Sequence, residues 1–442
     1  MIKCSLNKIN FGGSMGEILI KNGLVVDVEK KENTKICDIL IRDDEIVKID
    51  KDIKSKNAKI IDATGNIVLP GLINTHTHIA MNLFKGYAQG YNLMEWLNKK
   101  IWPVEDKLSE DDVYKSSLAG ILEMIKTGTT TFLDMYFLVN GTIKAINDAK
   151  IRACISRCIM DTKDENDERL LETYDLIKKY NNNKNDLITL MVGPHSPYVC
   201  GKDTLVRCVN IAQKYNIGLH IHLAETKDEI KIIRDKYNMT PFELLKDIGA
   251  FEVPLVLAHC VFADDSDIEI LKNIKGGVSH NPVSNASLGS GIAPINKYLK
   301  NNINVSLGTD GSSSTPSLDM FLEMKMANYM QKASNFNSTC IDAYTTLQMA
   351  TINGAKTLGM QDRIGSIKVG KKADIIILDG SSINFNPLND IYSNIVYCAN
   401  GYDVLTSIIN GYIIMQDKKL ITLDEKKIIK ECNLIAKKLL DD

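Results

Sequence analysis

Eight apolar, β-type runs recur between residues 67 and 310, separated by stretches of helical character, and this alternation restricts the possible folds more than any other feature of the chain. The runs are Ile67–His78, Thr129–Tyr136, Ile151–Met160, Leu187–Tyr198, Gly218–Glu225, Pro254–Cys260, Gly276–Asn281 and Asn304–Asp310. Strand and helix in alternation is the signature of a parallel sheet, whose crossovers need helices. Eight such units in about 250 residues is the size of a closed (β/α)8 barrel. The rival architecture, an open doubly wound sheet, calls for a glycine-rich phosphate turn after its first strand. Thr75-His76-Thr77-His78 stands there instead. The fold class expected is therefore α/β, with a TIM barrel over residues 67–360.

The flanks, residues 1–66 and 361–442, have a different texture. Short β-rich pieces (Ile18–Ile20, Leu24–Val28, Ile39–Ile41, Ile46–Ile49, Ile60–Asp62) precede the barrel, with Asn22-Gly23 expected to form a hairpin turn. Similar pieces follow it, namely Gly365–Val369, Ala373–Leu378 and Ser407–Met415 with its own Asn410-Gly411. Neither end can bury an apolar face alone, so both are expected to pair into one small β-sandwich. Thr422–Leu440 predicts a docked helix with a Thr422/Glu425 capping box and Ile428, Cys432, Ile435 and Leu439 on one face. Residues 1–14 read as a disordered extension, with Met15 as an alternative start.

Lys plus Arg total 53 against 55 Asp plus Glu, a net charge of −2 that leaves no electrostatic footprint for nucleic acid or an anionic membrane. A small molecule is the expected partner. The ten cysteines include no C-x-x-C pair, and Cys154 and Cys158 are expected to pack along one strand. They read as thiols of a reducing compartment, and no run approaches the ~18 apolar residues of a membrane span. The location expected is cytoplasmic.

All seven histidines fall in or just after a predicted strand: His76, His78, His195, His220, His222, His259 and His280. Barrel active sites form at the C-terminal strand ends, so the histidines mark a mouth. His76 and His78, two apart, point to one face of the first strand. His222 repeats that geometry on the fifth strand, with His220 behind it as a supporting or packing residue. Asp310 ends the eighth strand, which adjoins the first in a closed barrel. Three imidazoles and a carboxylate (His76, His78, His222, Asp310) suit one divalent ion, with Zn²⁺ expected and Fe²⁺, Mn²⁺ or Ni²⁺ as alternatives. Glu225, three residues past His222, is placed to carry protons, and His259 to bond the attacking oxygen. Taken singly, Glu225 reads sooner as a solvated acid at a helix start and His259 as a satisfied core histidine. Gathered at one mouth they read as a hydrolytic site with Glu225, His259 and Asp310 as catalytic groups.

At these residues the chain resembles the amidohydrolase superfamily: Leu69-Pro70-Gly71-Leu72-Ile73-Asn74-Thr75-His76-Thr77-His78, His220-Ile221-His222-Leu223-Ala224-Glu225-Thr226, Ala258-His259-Cys260, Ser279-His280-Asn281-Pro282, Leu307-Gly308-Thr309-Asp310-Gly311, and Gly365-Ser366-Ile367 through Gly370-Lys371-Lys372-Ala373-Asp374. Within it the chain looks most like the S-adenosylhomocysteine/5′-methylthioadenosine deaminases. The fourth run, Met191–Tyr198, lacks the lysine with which dinuclear relatives bridge two metals, which implies a single ion. The resemblance further implies that His195 contacts the purine, that Trp96 and Glu105 surround the nucleoside, with Glu105 accepting from ribose hydroxyls, and that Arg157 meets an amino-acid tail. It also implies a homo-oligomer. Independently, Trp96, Trp102, Tyr87 and Tyr91 crowd the segment after the first strand, as expected of a cover over a flat heterocycle.

The reading is hydrolytic deamination of an adenine nucleoside: S-adenosylhomocysteine, methylthioadenosine, 5′-deoxyadenosine or adenosine. Its rivals are a deaminase of guanine, cytosine or a pterin, a triazine chlorohydrolase or aminohydrolase, and a non-catalytic paralogue.

Overall fold

The computed structural model describes residues 16–88, 90–91, 93–181 and 187–440; the extension expected over residues 1–14 and Met15 lie outside them. Eight strands form a parallel sheet in sequence order: Leu72–Thr77, Thr129–Tyr136, Arg152–Ile159, Ile188–Pro194, Gly218–Leu223, Pro254–His259, Lys275–His280 and Val305–Leu307. The first and last strands meet through the hydroxyl of Thr75, which donates to Leu307 O at 2.9 Å, and through Asp310 N–H to His76 O at 2.9 Å. The near-closed barrel is thus the predicted one, and its strands are apolar on both faces because helices pack outside and side chains fill the inside.

The first predicted run divides at Gly71. Ile67–Pro70 belongs to the other sheet, where it pairs with Ile375–Leu378, and only Leu72–Thr77 enters the barrel. A side chain at residue 71 would meet Thr130 at 2.1 Å, so the crossover between the two sheets requires glycine there.

That second sheet joins both chain ends, as expected. Glu17–Val25, Lys35–Arg42, Glu45–Asp50 and Lys59–Asp62 come from one end, and Ile375–Leu378, Val404–Ile409, Tyr412–Gln416 and Lys419–Leu420 from the other. Its core holds Ile20, Ile39, Ile41, Val68, Ile375 and Ile377. An isolated antiparallel bridge joins Glu45 to Lys372. Three local expectations fail. Asn22-Gly23 makes a bulge inside one strand rather than a hairpin turn, because Asp38 accepts the Asn22 N–H at 2.8 Å and pairing resumes at Gly23. Gly365–Val369 forms no strand. The Thr422/Glu425 box does not form either: Asp424 accepts the Lys427 N–H at 3.1 Å, and Glu425 pairs with Lys126. Asn410-Gly411 is the two-residue turn predicted, with φ of 50° and 76°.

The segment after the first strand coils into short turns, Ile79–Phe84, Leu93–Trp96, Leu97–Ile101 and Trp102–Glu105, before the helix Glu110–Lys126. Its apolar side chains pack over the barrel mouth, and Ile435 and Leu439 of the C-terminal helix Glu425–Leu440 back them. Among the described residues no helix is long and apolar enough to cross a membrane.

Candidate active site at the barrel mouth

Each chemical group sits where a strand stops. His76 is in the first strand and His78 just beyond it, His222 is in the fifth, His259 ends the sixth, and Asp310 follows the eighth. His78 Nε2 lies 3.2 Å from His222 Nε2 and 3.2 Å from Asp310 Oδ1, and His76 Nε2 lies 3.5 Å from the same oxygen. Two ligands about 2.0–2.1 Å from one tetrahedral ion stand roughly 3.3 Å apart, so each of these three distances fits a pair of ligands in one coordination shell.

The far side of each ring is committed. His78 Nδ1 is 2.6 Å from Met135 O, and His222 Nδ1 is 2.7 Å from His195 O. A carbonyl only accepts, so both rings carry a proton on Nδ1 and aim Nε2 inward. His76 Nδ1 contacts His220 Nε2 at 2.7 Å, and His220 Nδ1 contacts Ser156 Oγ at 2.8 Å. His220 is therefore the supporting residue expected. Among the described residues His76 Nε2 is wholly buried with no hydrogen-bond partner, as suits a nitrogen that serves as a metal ligand.

Burial holds His222 well below the ordinary imidazole range and lowers His76 to about 4, which keeps both neutral, the ligating form. Burial alone would push Asp310 up, but the adjoining His76 and His78 rings hold it well below the usual carboxylate range. Its Oδ2 accepts from Ser284 at 2.6 Å and Ser314 at 3.2 Å. His259 Nε2 faces Glu225 Oε2 at 3.9 Å and Asp310 Oδ2 at 4.0 Å, while its Nδ1 is aimed by Asn285 Oδ1 at 2.8 Å. Burial pushes Glu225 up, toward the protonated form a general acid needs.

A cavity rises from these groups. Glu105, His195, Trp96, Trp102, Tyr136, Tyr198 and Cys158 all line it. Burial pushes Glu105 up to about 7, and Tyr136 donates to its Oε1 at 2.6 Å. Arg157 is not part of that lining. It alternates with Ser156 and Cys158 on its strand, so its guanidinium leaves by the opposite face and pairs with Glu172 at 2.5 Å. The reading from sequence missed Tyr136, Asn285, Ser284 and Ser314; Asn285 and Ser284 follow the Ser279–Pro282 motif closely, the one signal that pointed to them.

The amidohydrolase family model matches residues 67–414. The chain belongs to the amidohydrolase family. It is 45% identical over 96% of its length to a 5-methylthioadenosine/S-adenosylhomocysteine deaminase of Carboxydothermus hydrogenoformans, 98% of which is covered. It is 41% identical, over 96% of this chain and 99% of the relative, to a 5′-deoxyadenosine deaminase of Methanosarcina acetivorans. A zinc-bound adenosine deaminase of Xanthomonas campestris superposes with a TM-score of 0.92 at 28% identity, covering 96% of this chain and 99% of that one. As an amidohydrolase the chain is a hydrolase of C–N bonds from a metal-dependent family, and His76, His78 and Asp310 place their ligand atoms close enough to hold one ion.

Proposed function

We propose that this amidohydrolase removes the 6-amino group of an adenine nucleoside carrying a variable 5′ substituent, converting adenine to hypoxanthine: water supplies the new C6 oxygen, and the amino nitrogen leaves as ammonia. The observation that carries the reading is Glu225 facing His259 beside the His76, His78, His222 and Asp310 cluster, in one cavity whose other wall bears Glu105 and His195. The relatives' names support the nucleoside class over triazines, guanine and pterins.

His76, His78, His222 and Asp310 would hold the ion, with zinc the choice supported by the adenosine deaminase structure. When bound, such an ion lowers the pKa of water toward about 7 and so supplies a nucleophile at neutral pH. Asp310, ionised and held by Ser284 and Ser314, receives the proton that the attacking water releases. Glu225 carries the proton that neutralises the purine N1 as C6 becomes tetrahedral. His259 faces the new C6 oxygen through Nε2. The protons gathered on the two carboxylates then leave with the amine as the C6–N bond breaks. Glu105 accepts from the ribose hydroxyls, and His195 and Trp96 border the base. Arg157 would reach a 5′ amino-acid tail only by giving up Glu172.

The test is ammonia release from adenosine, 5′-deoxyadenosine, methylthioadenosine and S-adenosylhomocysteine by metal-quantified protein, with Glu225→Ala beside it. Turnover of at least one nucleoside is expected, and the variant should keep its metal and lose about 10²–10⁴-fold in kcat. A chlorinated triazine or guanine turned over in preference to all four would overturn the reading. A cytoplasmic location and a homo-oligomer complete the proposal, the former supported by described cysteines that all carry free thiols.

A further inference from the structure

Glu225 does not aim itself. It lies two residues beyond the fifth strand, after Ala224, whose φ of 51° is a left-handed conformation that alanine adopts only at a cost. The helix that follows, Lys227–Tyr237, is capped by Thr226, whose side chain accepts the Glu229 N–H at 3.2 Å. An acidic residue at that third position normally reaches back to the amide of the cap residue itself. Three other α-helices among the described residues do so, behind Ser109, Thr240 and Asp264. Glu229 reaches further. Its Oε1 accepts from Ala224 N–H at 2.9 Å and its Oε2 from Glu225 N–H at 2.9 Å, both wholly inside the protein. From the opposite side, Val261 and Phe262 N–H groups both donate to Ala224 O at 3.0 Å, and Cys260 N–H donates to Leu223 O at 3.0 Å. The peptide ahead of Glu225 is thereby fastened to the turn that carries His259.

We propose that Glu229 is the positioning residue of the reaction: its carboxyl group bridges the Ala224 and Glu225 amides through one oxygen each, holds the left-handed turn, and so keeps the Glu225 side chain opposite His259. Resting on the reading of Glu225 as the proton carrier, the proposal adds a group that touches neither substrate nor metal ligand. Without the bridge, two buried amides lose their acceptor and the turn relaxes, carrying Glu225 off its line to the purine ring. Displacements of about 1 Å in a reacting group cost on the order of 10²-fold in rate.

The test compares wild type, Glu229→Gln, Glu229→Ala, Glu225→Ala and the Glu225→Ala/Glu229→Ala double variant on the nucleoside the wild type turns over fastest. Metal content, far-ultraviolet circular dichroism and steady-state constants are measured on each. Glu229→Gln and Glu229→Ala are expected to keep fold and metal, to leave KM close to wild type, and to lower kcat by about 10²-fold. Because Glu229 acts only through Glu225, the double variant should be no slower than Glu225→Ala alone. Unchanged kcat in both Glu229 variants overturns the proposal. So does a further loss on the Glu225→Ala background, or loss of fold or metal in Glu229→Gln, either of which makes Glu229 a general structural residue. Full activity of Glu225→Ala would instead remove the reading beneath it.

Discussion

Glu105 shows how one carboxyl takes its properties from its surroundings. Burial raises it to about 7, and the Tyr136 hydroxyl pulls the other way by stabilising the ionised form. The ionised carboxylate accepts from two ribose hydroxyls more strongly than the protonated acid does. It forms as pH rises through about 7, so KM for the nucleoside should fall between pH 6 and pH 8. Tyr136→Phe removes the group that favours ionisation, and its KM profile should therefore shift to higher pH. Steady-state constants across that range check both, and an unmoved profile in the variant would separate Glu105 from substrate binding. His78 and His222 carry the complementary lesson. Their type and spacing made them candidates, but the Met135 and His195 carbonyls that orient their rings are backbone atoms, which no residue type announces.

Strand closure depends on hydroxyls as much as on the ladder. Thr75 Oγ1 lies 2.7 Å from Ser279 Oγ, 2.8 Å from Ser306 Oγ and 2.9 Å from Leu307 O, tying the first barrel strand to the seventh and eighth. Thr75→Val keeps the shape and removes every one of these contacts, leaving buried polar groups short of a partner. A loss of about 1–3 kcal/mol is expected, read from denaturant unfolding. The eight-run pattern predicted the elements, yet not where the first run divides. Ile67–His78 reads as one apolar stretch, and only the approach of Thr130 to Gly71 shows that it serves two sheets.

Arg152 joins those sheets at the base of the barrel. Wholly buried, it places Nε 2.7 Å from Asp374 Oδ2 and Nη2 2.8 Å from Asn410 Oδ1, while Gly71 N–H donates to Asp374 O at 2.9 Å. Asp374→Ala takes the carboxylate from a guanidinium sealed in low dielectric, so a loss of about 3–5 kcal/mol is expected in unfolding experiments. Asp374→Asn, which keeps an acceptor but no charge, should fall between that and wild type. The C-terminal helix acts at the same scale, since Ile435 and Leu439 back the turns that carry Trp96 and Glu105 over the mouth.

The sequence by itself determined the barrel, the pairing of both chain ends in one sheet and the cluster of His76, His78, His222, His259, Glu225 and Asp310. These follow from period, residue type and position at strand ends, all of which are local quantities. The tertiary structure alone decided that Asn22-Gly23 bulges instead of turning, that Arg157 pairs with Glu172 off the cavity wall, and that Glu229 grips the turn ahead of Glu225. Each of these outcomes depends on a partner distant in the chain or on which face of a strand a neighbour leaves open, and hydrogen-bond competition of that kind has no periodic trace.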